Sequence, residues 1–88
     1  MDMSKKYMIG MGWYAEYVDG DLVKARKIAA MYIKGHKTIE RCPITKGKKL
    51  IGTVVYLKSM KKYAWVKETS KGSKYYWIFS NGKLGKEV

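Results

Sequence analysis

The sequence predicts an α+β fold: one helix packed on a small, largely antiparallel sheet, in the order β-α-β-β-β(-β), as a single domain over residues 1–88. Three observations lead there. Leu22–Lys34 has apolar residues at helical spacing. The C-terminal half holds three aromatic-rich runs of strand length, Leu50–Leu57, Tyr63–Val66 and Tyr75–Phe79. Short polar links join these runs, which makes an antiparallel meander, and every link carries lysine.

Met1–Lys5 is a polar lead-in, and Lys6–Val18 reads as the first strand. Tyr7, Ile9, Met11, Trp13, Ala15 and Tyr17 share one parity, while Gly10 and Gly12 share the other. Two glycines on one face let a helix approach the backbone closely. They do not make a dinucleotide fingerprint, because the third glycine and the downstream acid are missing. Asp19-Gly20-Asp21 is a turn whose carboxylates suit the positive end of a helix. In the helix, Leu22, Ala25, Ile28, Ala29, Tyr32 and Ile33 form one apolar stripe, with Lys24, Lys27, Met31 and Lys34 opposite. Gly35 is the expected stop, and Lys34, His36 and Lys37 lie near the negative end of the dipole.

Thr38–Ile44 reads as a second strand, at an edge or interrupted at Pro43, which has no N–H to give. After a turn at Thr45–Lys48, Lys49–Lys58 is the strongest strand, and its two apolar parities place it centrally. Tyr63–Glu68 and Lys74–Ser80 follow. The second of these sets Tyr75, Trp77 and Phe79 against Tyr76 and Ile78. Asn81-Gly82 is a tight-turn signal that returns the chain into Lys83–Val88 or ends the sheet.

Charge is the strongest clue to function. Nineteen Lys and Arg face seven Asp and Glu, for a net charge of +12. Self-repulsion on that scale opposes compaction, and a polyanionic partner relieves it. All the cations except Arg26 and Arg41 are lysine. Lysine is a mobile point charge suited to phosphates, whereas arginine supplies the fork that reads guanine. The sequence therefore predicts a nucleic-acid-binding module of low sequence specificity, contacting the phosphate backbone of DNA or RNA.

The contact residues expected on this basis are Lys46, Lys48, Lys49, Lys58, Lys61, Lys62, Lys71 and Lys74, with Trp65, Tyr75 and Trp77 as stacking surfaces. In a meander, alternate turns share an end, which places Lys46, Lys48 and Lys49 beside Lys71 and Lys74. The same rule places Lys58, Lys61 and Lys62 beside Lys83 and Lys86. The face left open by the helix draws its rings from Tyr56, Tyr63, Trp65, Tyr75 and Trp77. Lys24, Lys27 and Lys34 are a second candidate surface. The RNA-recognition signature Arg/Lys-Gly-Phe/Tyr-Gly/Ala-Phe is absent. The alternative reading is a small accessory or inhibitory protein that docks an acidic protein surface through the same lysines and an edge strand, and self-association through the sheet is compatible with either.

Catalysis is not expected. Cys42 and His36 are single residues that nothing in the sequence makes face each other, and the few acids have no motif spacing. Glu40-Arg41 and Lys67-Glu68 read as cross-strand surface pairs. No metal or other cofactor is implied, and a lone cysteine allows no internal disulfide. Lys5-Lys6 before the apolar Tyr7–Ala15 resembles a signal peptide superficially, but Gly10, Gly12 and the aromatics argue for core. With no run of about 20 apolar residues, no membrane partner is expected, and the cytoplasm is the predicted location.

Overall fold

The computed structural model describes residues 6–10, 16–36 and 39–88. One helix, α1 (Leu22–Gly35), lies on a seven-stranded antiparallel sheet that does not close. The strands are β1 (Tyr7–Ile9), β2 (Glu16–Val18), β3 (Arg41–Lys46), β4 (Lys49–Leu57), β5 (Lys62–Thr69), β6 (Gly72–Ile78) and β7 (Leu84–Glu87). They are ordered β2-β1-β3-β4-β5-β6-β7 across the sheet. The fold is therefore α+β, with more strand than expected.

The first strand is a correction. Lys6–Val18 does not run straight through: β1 and β2 pair antiparallel, with Tyr7 opposite Val18 and Ile9 opposite Glu16. Gly10 leaves the extended conformation at φ 85, which turns the chain out of β1. The middle of the expected strand, 11–15, which includes Gly12, and the pair 37–38 lie outside the described residues. The element order thus begins β-β-α rather than β-α.

The position of β3 is a second correction. It is an interior strand, between β1 and β4. Pro43 is tolerated there because pairing with β1 stops at the Ile9–Ile44 rung, and its carbonyl still accepts from the Gly10 N–H at 2.8 Å. As expected, β4 is central. Its register slips between Ile44 and Thr45, which leaves Ile51 without a partner on β3, and Ile51 packs with the helix-side core. Asn81-Gly82 does return the chain, into β7.

The helix forms where its spacing predicts. The Asp21 side chain accepts from the Lys24 N–H at 2.8 Å and caps the first turn. Ala25, Ala29 and Ile33 are buried against Ile9, Val18, Cys42, Ile44, Val54 and Trp65, while Lys24, Lys27, Met31 and Lys34 face outward. The helix rests chiefly on β1, β3 and β4. A helix with side chains is about 10–12 Å wide, and strands repeat every ~4.8 Å, so one helix covers two or three of seven strands. The helix side of β6 and β7 is therefore left beside α1 rather than beneath it, while Trp65 of β5 still packs under the helix.

Candidate nucleic-acid interface

The cross-strand register decides which aromatics belong to which face. Val54 lies opposite Trp65, Trp65 opposite Tyr76, and Tyr56 opposite Tyr63, all on the helix side. The rings of Tyr56 and Tyr63 are 5.0 Å apart. On the other face Val55 is opposite Ala64, Ala64 opposite Trp77, and Val66 opposite Tyr75. There Val55, Ala64 and Val66 form a second, smaller cluster with Leu57 and Trp77.

Trp65 is therefore a correction: it is 2 % exposed and has no free face for a base. Its ring lies over Gly52, where a Cβ would come within 2.2 Å of it. The Arg26 guanidinium carbon stands 5.3 Å from the ring centre. That guanidinium is buried, and its Nε donates to the Gly82 carbonyl at 2.8 Å. Burial lowers the Arg26 pKa, and the Asp21 carboxylate opposes that shift. Gly82 is pressed so close to the helix that a Cβ there would sit 2.1 Å from the Val23 carbonyl oxygen. The turn between β6 and β7 is thus latched onto the first half of α1, with Arg26 as the latch.

Beside the latch, between α1 and the sheet, lies a cleft of about 540 Å³. One wall is α1, through Lys27, Ala30, Met31 and Lys34. Tyr63 and Ile78 belong to the sheet's helix side, and Trp77, Phe79 and Ser80 close the cleft along the end of β6. Lys61 and Lys62 enter from the turn between β4 and β5. Lys61 has the left-handed value φ 54, rare for a residue with a side chain. Lys62 holds its ammonium 5.2 Å from the centre of the Trp77 ring. Burial raises the Tyr63 pKa, so its phenol remains neutral at neutral pH. Four lysines and no acidic side chain line the cleft among the described residues. Met31 is 62 % exposed and Phe79 57 %, so a visiting molecule has apolar surface to cover.

The expected lysines divide into two groups. Antiparallel pairing puts the β3–β4 and β5–β6 turns at one end of the sheet, where Lys46, Lys48, Lys49, Lys71 and Lys74 lie. Lys46 sits with its ammonium 5.2 Å from the Tyr7 ring centre. Lys74 stands opposite Lys67, a like-charge rung that a bound anion would relieve. Lys58, Lys61 and Lys62 lie at the other end. Lys58 is ion-paired with Glu40, whose hydrogen bond and charge raise the Lys58 pKa. That pair joins the residue before β3 to the residue after β4, so Glu40 makes a cross-strand surface pair as expected. Glu68 likewise accepts from Ser73 Oγ at 2.8 Å. Lys86 lies within β7, which runs back from the turn, so only Lys83 stays at that end.

Two expected stacking residues remain available: Tyr75, 41 % exposed, and Trp77, half-buried. Sequence reasoning kept Lys27 and Lys34 apart from the sheet lysines, but the cleft brings them together with Lys61 and Lys62. The sequence does not mark Met31 or Phe79 for a site, and Tyr56 and Tyr63, expected on the face left open, lie on the helix side. The available signal was Met31, an apolar side chain on an otherwise basic helix face.

His36 caps the helix C-terminus, with Nδ1 2.8 Å from the Tyr32 carbonyl oxygen. Cys42 is buried in the core, and burial pushes its thiol up to about 11. No described helix is long and apolar enough to cross a membrane. No protein-family model matches this chain, and neither does any curated protein or solved structure.

Proposed function

We propose that this protein binds nucleic acid with low sequence specificity, holding phosphates with lysine and laying bases on aromatic side chains. The observation that carries this reading is the cleft, where Lys27, Lys34, Lys61 and Lys62 surround Trp77, Phe79 and Met31 with no acid lining it among the described residues. The reading is supported further by Tyr75 and Trp77 on the open face of β6 and by the exposed Phe79 just past its end. Alternate residues of a strand are about 6.6–6.8 Å apart, close to twice the ~3.4 Å rise per nucleotide of a stacked strand. An extended single strand matches that spacing without needing a particular sequence. Lysine in place of arginine favours backbone contacts over base readout.

The test is fluorescence anisotropy with single-stranded DNA, duplex DNA and RNA at several salt concentrations. Neutralising four phosphates of a single strand gives a log–log salt slope of roughly −3, at about −0.7 per phosphate. Binding should also change tryptophan emission through Trp77, because Trp65 is buried. No binding at low salt removes the nucleic-acid reading. The docking of an acidic protein surface is favoured by one observation, the exposure of Tyr75 and Phe79 beside the lysines. A stoichiometric protein complex that survives nuclease treatment would establish that reading instead.

A further inference from the structure

The cleft is open at one end and blind at the other. At the Lys27 end the β6–β7 turn abuts the helix, and at Gly82 there is not room for one added carbon atom: a Cβ would lie 2.1 Å from the Val23 oxygen and 3.2 Å from the Lys27 Cβ. Arg26 holds the two together through its bond to the Gly82 carbonyl. At the other end the cleft shares Lys34 and Tyr63 with a second hollow of about 270 Å³. That hollow is lined by Ile33, His36, Ile39, Tyr56 and Lys58, with Glu40 already paired to Lys58. Along the helix wall, Lys27 to Lys34 spans about 10 Å at 1.5 Å per residue.

A nucleic-acid chain cannot thread through a blind groove; it can only enter and stop. We propose that the cleft receives the terminal nucleotide of a single strand, with the base against Met31, Tyr63 and Phe79 and a terminal phosphate beside Lys27 and Lys61. The preceding nucleotide leaves through the second hollow, past Lys34. The volume falls within the ~300–1,000 Å³ of ordinary small-ligand sites, so one nucleotide fits and a stacked pair of strands does not. A terminal phosphomonoester carries up to about −2, against −1 for an internal diester, and four lysines around one small space favour the higher charge.

This inference rests on the nucleic-acid reading, and the experiment separates the two. The protein is titrated against one internally labelled DNA oligonucleotide in four forms: 5′-phosphorylated, 3′-phosphorylated, without terminal phosphate, and covalently circularised. The circle should bind about tenfold or more weakly than the better phosphorylated form, because it loses one stacked base. The two phosphorylated forms show which end enters. Equal affinity for circle and linear forms overturns end capture while leaving nucleic-acid binding in place. No binding to any form overturns both.

Two variants locate the site. Ala30→Trp fills the cleft from the helix wall, and Met31→Glu places a carboxylate at an exposed helical position where folding is unaffected. Each should abolish the preference for linear DNA over the circle. A linear preference that persists in Met31→Glu places the end-binding site elsewhere and overturns the proposal.

Discussion

Gly52→Ala adds one methyl group at the most crowded point of the core. Its Cβ would lie 2.2, 2.6 and 2.7 Å from three atoms of the Trp65 ring, and ordinary contact begins near 3.4 Å. The ring must therefore retreat by at least 1.2 Å (3.4 minus 2.2). It has nowhere easy to go, because Trp65 is 2 % exposed and the buried Arg26 guanidinium stands over it. Overpacking of this kind costs about 1–3 kcal/mol, and a lost Arg26–Gly82 bond adds to it. The lower backbone entropy of alanine in the unfolded chain returns about 0.4–1 kcal/mol. The net expectation is a loss of about 2 kcal/mol, or roughly 8–16 °C in melting temperature for a domain of this size. Urea denaturation followed by far-UV circular dichroism measures it. Gly35→Ala is the control, since nothing lies within 4 Å of a Cβ there and the substitution should be neutral or stabilising by up to about 1 kcal/mol. In the double variant Gly52→Ala/Trp65→Leu the smaller side chain makes room, so its cost should fall below the sum of the single variants by about 1 kcal/mol or more. A Gly52→Ala loss below about 0.5 kcal/mol, or strict additivity in the double variant, would refute the account of the Trp65 environment.

Two other sites give predictions of different kinds. Lys61→Gly removes a side chain from φ 54, so it should raise stability by about 0.5–1 kcal/mol while reducing the salt slope of nucleic-acid binding by about 0.7; denaturation and anisotropy on the same sample check both signs. The Cys42 thiol is pushed up to about 11 from an ordinary value of 9.0, so the unfolded chain ionises first as pH rises. Its contribution is complete below about pH 9 and lost toward pH 11, worth about 2–3 kcal/mol by linkage. The stability advantage of the native chain over Cys42→Ala, compared at pH 8 and pH 10.5, should shrink accordingly; an unchanged difference would show that the thiol ionises as readily folded as unfolded.

The helix, the central strand and the last hairpin were legible because each has a local cause. Leu22 to Ile33 repeats at helical spacing, β4 is apolar on both parities, and Asn81-Gly82 is a turn dipeptide. The first strand misled because its aromatics alternate across Gly10, and that alternation does not show the backbone turn at φ 85. Pro43 pointed to an edge, but one missing N–H is harmless where a neighbouring three-residue strand has already ended. Trp65 fits either face on sequence alone because β5 has bulky residues on both parities, and period-two spacing does not say which parity meets the helix. The cleft was invisible for a different reason. Its lysines come from residues 27–34 and 61–62, and their meeting depends on where a helix narrower than the sheet comes to rest.

The Arg26–Gly82 bond joins residues 56 apart in the chain, and this separation has a kinetic consequence. Strands β3 to β7 are joined in sequence by short turns, so their hairpins close over small loops and can form early. The latch must wait, because it needs the finished meander and the docked helix in register at once. The cleft is therefore assembled at the end of folding, and capacity to bind should rise with the slowest folding phase rather than with the appearance of sheet. A chain halted before that step would have its strands paired and its charge in place, yet no blind end to receive a ligand.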